Sequence, residues 1–161
     1  MKIIVDGFGG DNAPLAVLKG SAMAVAEYNV EIEVVGDVPT MEKLAKENAI
    51  SMEHISLHQA DGVITMEDKP DEIIKSKRNC SMAVGLKRLK EGEGDAFVSG
   101  GSTGALVVGA TFLVKRIKGV KRAALAAMIP GDAGSYMLLD VGANLDCKGD
   151  VLTQFGVMGS V

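Results

Sequence analysis

The sequence predicts an α/β fold built on a largely parallel sheet with helices on both faces, and three observations predict it. Short β-branched runs alternate with stretches whose apolar residues recur with the helical period, the rhythm of strand–helix–strand units. The glycines, 20 in 161 residues, gather in turns that follow strands rather than in a tract. Hydrophobic residues make up 47% of the chain, enough for a packed interior. A chain of this length fits one α/β domain spanning residues 1–161.

Taken in order, Lys2–Val5 reads as the first strand, and Leu15, Leu18, Ala22, Val25 and Ala26 share one face of the helix after it. Glu31–Val35 is the second strand. Thr40 is placed as the N-cap of the next helix, with Glu42 in its first turn and Met41, Leu44 and Ala45 as its buried stripe. His54–Leu57 is the third strand; His54 and His58 are assigned to it, on one face. The acidic stretch Asp61–Glu72 contains Pro70 and has no clear period, so a solvated loop or short helix start is expected. Met82, Leu86 and Leu89 mark a helix ending at Gly92, with Lys87, Arg88 and Lys90 outside near its C-terminus. Ala96–Val98 is a buried strand, and the helix after it carries Leu106, Gly109, Ala110 and Leu113 on one side. Ala123–Ile129 and Tyr136–Leu139 are two further strands, separated by the turn Pro130-Gly131-Asp132. Asp150 is placed as the cap of a last helix bearing Leu152 and Phe155.

Composition narrows the function. A net charge of -4 argues against a nucleic-acid partner, which needs a concentrated basic footprint. Two cysteines, Cys80 and Cys147, make no disulfide framework, and reduced thiols in the cytoplasm are expected. Asp6 cuts the opening apolar run too short for a leader, and no run approaches the ~18 apolar residues of a membrane span. Two histidines on one strand make no metal site, and the acidic stretch lacks the pattern of a calcium loop. No metal is expected.

Three turns carry the chemistry. They are Asp6–Pro14, Ser99–Gly104 and Asp140–Asp146, each following a strand, at the sheet edge where open α/β folds bind ligands. Small residues and free main-chain N–H groups there suit an anion. The dinucleotide pattern fails, because Gly7 and Gly9 fit but Asn12 stands where the third glycine belongs. No lysine-bearing phosphate loop is present. Gly100-Gly101-Ser102-Thr103-Gly104 does satisfy G-x-S-x-G, but a hydrolase of that kind needs its histidine downstream, and both histidines lie upstream. Ser102 is therefore read as a hydrogen-bonding turn residue, with a serine hydrolase as the lesser alternative.

Together these turns resemble a known family. Asp6–Pro14 is similar to the D-x-M-G-G-D-x-A-P opening of the bacterial phosphate acyltransferases of phospholipid synthesis, the PlsX family. Ser99–Leu106 resembles the S-x-G-N-T-G-A-L of that family, and LDVGANLDCKGDVLTQFGVM, residues 139–158, its L-D-V-G-A-N-x-D-x-K…Q-F-x-x-M-G. Phe8 stands where methionine is usual, Ser102 where asparagine is usual, and Cys80 where serine is common. The likeness runs along the whole chain and covers the N-terminal part of a typical member, so a longer enzyme is expected.

The resemblance implies a three-layer α/β/α sandwich of the isocitrate/isopropylmalate dehydrogenase type, usually a homodimer. It implies a cytoplasmic enzyme, often associated peripherally with the membrane, that makes acyl phosphate from acyl-acyl carrier protein and inorganic phosphate without metal or nucleotide cofactor. Phosphate is itself the nucleophile in such a reaction, so catalysis rests on orientation and on stabilising an oxyanion. The expected anion-binding groups are the N–H groups around Gly101–Gly104 with the hydroxyls of Ser102 and Thr103. Gly9 and Gly10 are expected to bind substrate, and Asp11, Asn12, Asn144 and Asp146 to shape the pocket and fix the orientation of the donor. Asp6 and Asp140 are read as tying turns together rather than transferring protons. Lys75, Lys77 and Arg78 match a basic stretch of the family and are either the phosphate's cation or a solvated helix start. The cluster Lys115, Arg116, Lys118, Lys121 and Arg122 is read as complementing a helix C-terminus, with docking of an acidic carrier protein as the alternative. A non-catalytic domain that only binds a phosphate ligand or the carrier is the rival reading of the whole chain.

Overall fold

The structure, a computed structural model, describes residues 1–132 and 134–161. They form two compact units, Met1–Val114 and Lys115–Val161.

The first unit holds four strands, β1 (Lys2–Asp6), β2 (Glu31–Gly36), β3 (Ile55–Gln59) and β4 (Ala96–Val98), in the order β3-β2-β1-β4. All pairings are parallel, and Val5 lies opposite both Val34 and Val98. Because side chains alternate along a strand, the sheet has two apolar faces. Ile32 and Val34 pack with Leu18 of α1 (Leu15–Tyr28) and Met41 of α2 (Val38–Glu47). Ile4, Val35 and Phe97 pack on the other face with Val84 and Leu89 of α3 (Ser81–Lys90). The result is helix, sheet, helix, as three layers. Ile4, Leu18, Val34, Val35, Met41, Ile73 and Met82 are almost fully buried, and each such side chain contributes about 1.5–3 kcal/mol on leaving water.

Two acids are buried in this unit, Asp6 and Glu33. Glu33 faces α3, and its carboxylate receives Arg88 of that helix and the Lys2 ammonium, the latter at 2.7 Å. Burial alone would raise the Glu33 pKa, but the hydrogen bonds and charges of Arg88 and Lys2 outweigh it and hold the carboxyl low. Arg88 is thus not on the solvated outside of its helix. Its long side chain reaches an acid that the strand's alternation turns inward.

Other expectations shift locally. Asp37, not Thr40, caps α2, accepting from the Thr40 N–H at 3.1 Å, and Pro39 sits in the first turn where its missing N–H costs nothing. Ala26 is exposed, and the face of α1 turned inward is Val17, Leu18, Ser21, Ala24 and Val25. His54 precedes β3 with φ 57, outside the strand. The stretch Asp61–Glu72 is not wholly solvated, since Ile64 is buried against Ile73, Cys80 and Met82. Strand β4 is one edge of the sheet among the described residues, and Val98 is half-exposed. It is followed by α4 (Thr103–Gly109), which runs on as a π-helical turn, Ala110–Val114.

The second unit is an antiparallel hairpin, β5 (Ala126–Gly131) and β6 (Gly134–Leu139), with α5 (Gly149–Gly159). Pro130 and Gly131 belong to the ladder, opposite Ser135 and Gly134, rather than to the turn. A two-stranded ribbon has only edges, so a proline is accommodated there. In α5 the residue before the helix is Lys148 and Asp150 lies in its first turn; Val151 and Phe155 are buried while Leu152 is exposed. No helix among the described residues is long and apolar enough to cross a membrane.

Candidate functional site

The register of the first sheet builds the site. Val5 pairs with Val98, so Asp6 and Ser99 leave neighbouring strands side by side at the C-terminal edge. The Ser99 hydroxyl donates to Asp6 Oδ2 at 2.7 Å, and the Gly101 N–H donates to Ser99 Oγ at 3.0 Å. The Phe8 N–H donates to Asp6 Oδ1 at 3.3 Å. Asp6 is 2% exposed, and these donors supply what water would otherwise give a buried carboxylate. The Asp6–Ser99 bond therefore staples the first glycine turn to the second.

Glycine is required where the turns meet. A Cβ on Gly9 would stand 2.5 Å from Asp6 Oδ2, 2.7 Å from Ser99 Oγ and 2.9 Å from the Gly101 nitrogen. Gly10 adopts φ +116, a conformation closed to other residues.

Beside this contact lies a cleft of about 410 Å³. Its walls are Phe8, Gly10 and Asp11 from the first turn, Gly100, Gly101 and Ser102 from the second, and the loop Val63–Glu67. Among the described residues, the main-chain N–H groups of Gly10, Asp11, Gly100 and Ser102 have no protein acceptor. Such donors grouped in one concavity suit an anion. The charged side chains on the wall are Asp11 and Glu67, both acidic, so the cleft itself supplies no cation.

The loop Val63–Glu67 is the part that reading the sequence missed. The Thr65 N–H and hydroxyl donate to Asp68 Oδ2 at 2.7 and 2.8 Å. Lys77 Nζ donates to the same oxygen at 2.6 Å and to the Val63 carbonyl at 2.9 Å. Lys77 first, then the Thr65 N–H and hydroxyl, hold the Asp68 carboxyl at a pKa of about 2. The one sequence signal was an acid and a lysine flanking Pro70, too weak to place a wall.

The remaining expected residues fall as follows. Ser102 is 6% exposed and caps α4, its hydroxyl accepting from the Ala105 N–H at 3.3 Å. His58 lies on β3, at the far edge from β4, roughly 14 Å away across three strand spacings. Thr103 and Gly104 open α4 and are exposed, as are Asp11 and Asn12. Lys75 is exposed and pairs with Asp71 in its own short segment. Cys80 is buried, and burial pushes its thiol pKa up, away from the reactive thiolate.

Asn144 and Asp146 lie in the second unit. There Asp140 accepts from the N–H groups of Leu125, Ala143 and Asn144 and from the Asn144 side-chain amide. That amide also donates to the Ala123 carbonyl at 2.8 Å, so Asn144 is a strut of its own turn. Asp146 is exposed, and its carbonyl accepts from Arg122.

A family model described as fatty acid synthesis protein matches residues 1–161. The chain belongs to this family. Curated relatives called phosphate acyltransferase include that of Acetivibrio thermocellus, 44% identical over 162 residues, and that of Clostridium kluyveri, 44% identical over 161. Each alignment takes in 100% of this chain and 48% of the relative, so the chain spans about half the length of these curated relatives. The resemblance drawn from the three turn motifs is thereby borne out. Among solved structures, a phosphotransacetylase from Streptococcus pyogenes superposes with a TM-score of 0.75 at 20% identity, over 98% of this chain and 51% of that one. The EutD phosphotransacetylase from Staphylococcus aureus gives 0.69 at 24% identity, with the same coverage. At those identities the likeness bears on the fold, an α/β architecture with a mostly parallel sheet flanked by helices.

Proposed function

We propose that the protein is a phosphate acyltransferase, moving an acyl group from acyl-acyl carrier protein to inorganic phosphate, and that this chain carries the phosphate-binding part of the site. The observation that carries the reading is the cleft where Gly10, Asp11, Gly100 and Ser102 offer N–H groups without protein acceptors, at the C-terminal edge of a parallel sheet. The names of the curated relatives support it.

In this scheme a phosphate oxygen attacks the thioester carbonyl carbon, and the tetrahedral oxyanion collapses with loss of the thiolate. The proton carried by hydrogen phosphate ends on the thiol, so atoms and charge balance without an acyl-enzyme. Main-chain donors fixed before the reaction stabilise the oxyanion without reorganising. Thr103 and Gly104 extend the donor row, Ser102 holds it in shape through its cap, and Gly9 permits the contact between turns. Asn12 follows the cleft residue Asp11 in the first turn. Because Asp11 and Glu67 oppose an anion, the cation that balances phosphate comes from outside the wall. The feeding of glycerol-phosphate acylation, a homodimer, and peripheral contact with a membrane from the cytoplasmic side belong to the same proposal.

Hydroxylamine trapping tests it. Acyl hydroxamate should form from acyl-acyl carrier protein only when phosphate is present. Turnover without phosphate that disappears in Ser102→Ala would mean a serine hydrolase instead, and phosphate binding with no turnover would leave a binding domain.

A further inference from the structure

Lys77 is the cation whose side chain reaches the cleft loop, and its ammonium is already engaged twice, by the Asp68 carboxylate and the Val63 carbonyl. The Val63 carbonyl lies in the wall of the cleft, before its exposed arch, and Asp68 follows directly after the arch. The arch is otherwise poorly held. On its N-terminal side Ile64 is sunk in the core, and the Gly62 carbonyl accepts from the Ser81 N–H at 3.2 Å. On its C-terminal side Pro70 begins a short 3-10 segment. Between these anchors Thr65, Met66 and Glu67 are exposed, and among the described residues Thr65 is hydrogen-bonded only to Asp68.

We infer that Lys77 and Asp68 form a latch that positions the Thr65–Glu67 wall of the cleft, so that Lys77 governs phosphate binding through the loop rather than by touching phosphate. This rests on the reading of the cleft as the phosphate site. The two roles for Lys77 predict opposite signs for the same substitution. In a latch, Asp68 and Lys77 are worth the same, because either loss releases the arch. If Lys77 were a phosphate ligand, Asp68 would be its competitor, and removing the acid would free the cation.

The experiment titrates inorganic phosphate into the 161-residue chain and into Asp68→Asn, Lys77→Met and the double variant, following backbone amide resonances and binding heat. Each single variant should bind phosphate about fivefold more weakly, the size expected of a partly exposed pair. The double variant should lose no more than either single one, because the two act as a unit. Lys77→Arg, which keeps the charge and the reach, should recover binding to within about twofold of the parent. Tighter binding in Asp68→Asn, or losses that add in the double variant, would overturn the latch. If the parent chain shows no phosphate-dependent shift at Gly10 or Gly100, it is the reading of the cleft that falls. The latch is then judged on hydrogen exchange at Thr65: protection must drop alike in both single variants, and an unchanged rate in either one defeats it.

Discussion

Asp6 and Asp140 follow one local pattern and meet two fates. Each stands at the end of a strand and opens a glycine-bearing turn, Asp6-Gly7-Phe8-Gly9-Gly10 in one case and Asp140-Val141-Gly142-Ala143-Asn144 in the other. Asp6 is buried and bonds to Ser99, 93 residues away, so its turn is held by another part of the fold. Asp140 is half-buried and bonds mainly to its own turn, at Ala143 and Asn144, with Leu125 as its one more distant donor. Burial pushes its pKa up, but the Leu125 N–H and the Asn144 groups outweigh that and leave it below the ordinary value. The same acid-plus-glycine signature thus makes a staple between elements in a parallel sheet and a self-contained loop beside a hairpin. Neighbouring strand ends are what convert the first into a cleft.

Substitution should break the comparison most sharply at Asp6. Asp6→Ala leaves the Ser99 hydroxyl and Phe8 N–H without their buried acceptor and should cost about 3 kcal/mol by urea unfolding. Gly9→Ala should follow at about 2 kcal/mol, since its Cβ meets backbone as well as side chain. Both should abolish phosphate-dependent shifts at Gly100, and a Gly9→Ala chain of parental stability would mean that the turns do not touch. Asp140→Ala should cost only about 1 kcal/mol, because its donors lie near water and can be resolvated. Its effect should be confined to hydrogen exchange at Ala143 and Asn144, and a loss as large as that of Asp6 would erase the distinction.

Ser102→Ala should remove a helix cap, about 1 kcal/mol, and weaken turnover without abolishing it. Complete loss of activity at parental stability would point to a nucleophile. The smallest effect is expected from acid. Asp68 has its pKa depressed from 3.8 to about 2, so its contribution is full above the ordinary value and fades as pH falls toward about 2. Exchange protection at Thr65 should therefore be flat from neutrality to about pH 4 and decline below it; a decline centred near pH 6 would mean that another group controls the loop.

The local readings succeeded where short-range chemistry decides. Strand and helix sites followed from periodicity, and the glycine turns after β1 and β4 were visible as small residues between apolar runs. Departures arose where a distant partner decides. Arg88 looked like a solvated helix residue until Glu33, 55 positions away, was found beneath it. Lys77 looked like a free cation, and the acidic stretch like open surface, until each became the other's partner.

Sequence alone established the alternation of strands and helices, the glycine turns and the family motifs, because φ preferences and side-chain period act within a few residues. The strand order β3-β2-β1-β4 placed Asp6 beside Ser99, and tertiary packing set Val63–Glu67 across a cleft from the turns that follow them. Those adjacencies depend on which apolar faces bury each other, a long-range choice that no local window of residues contains.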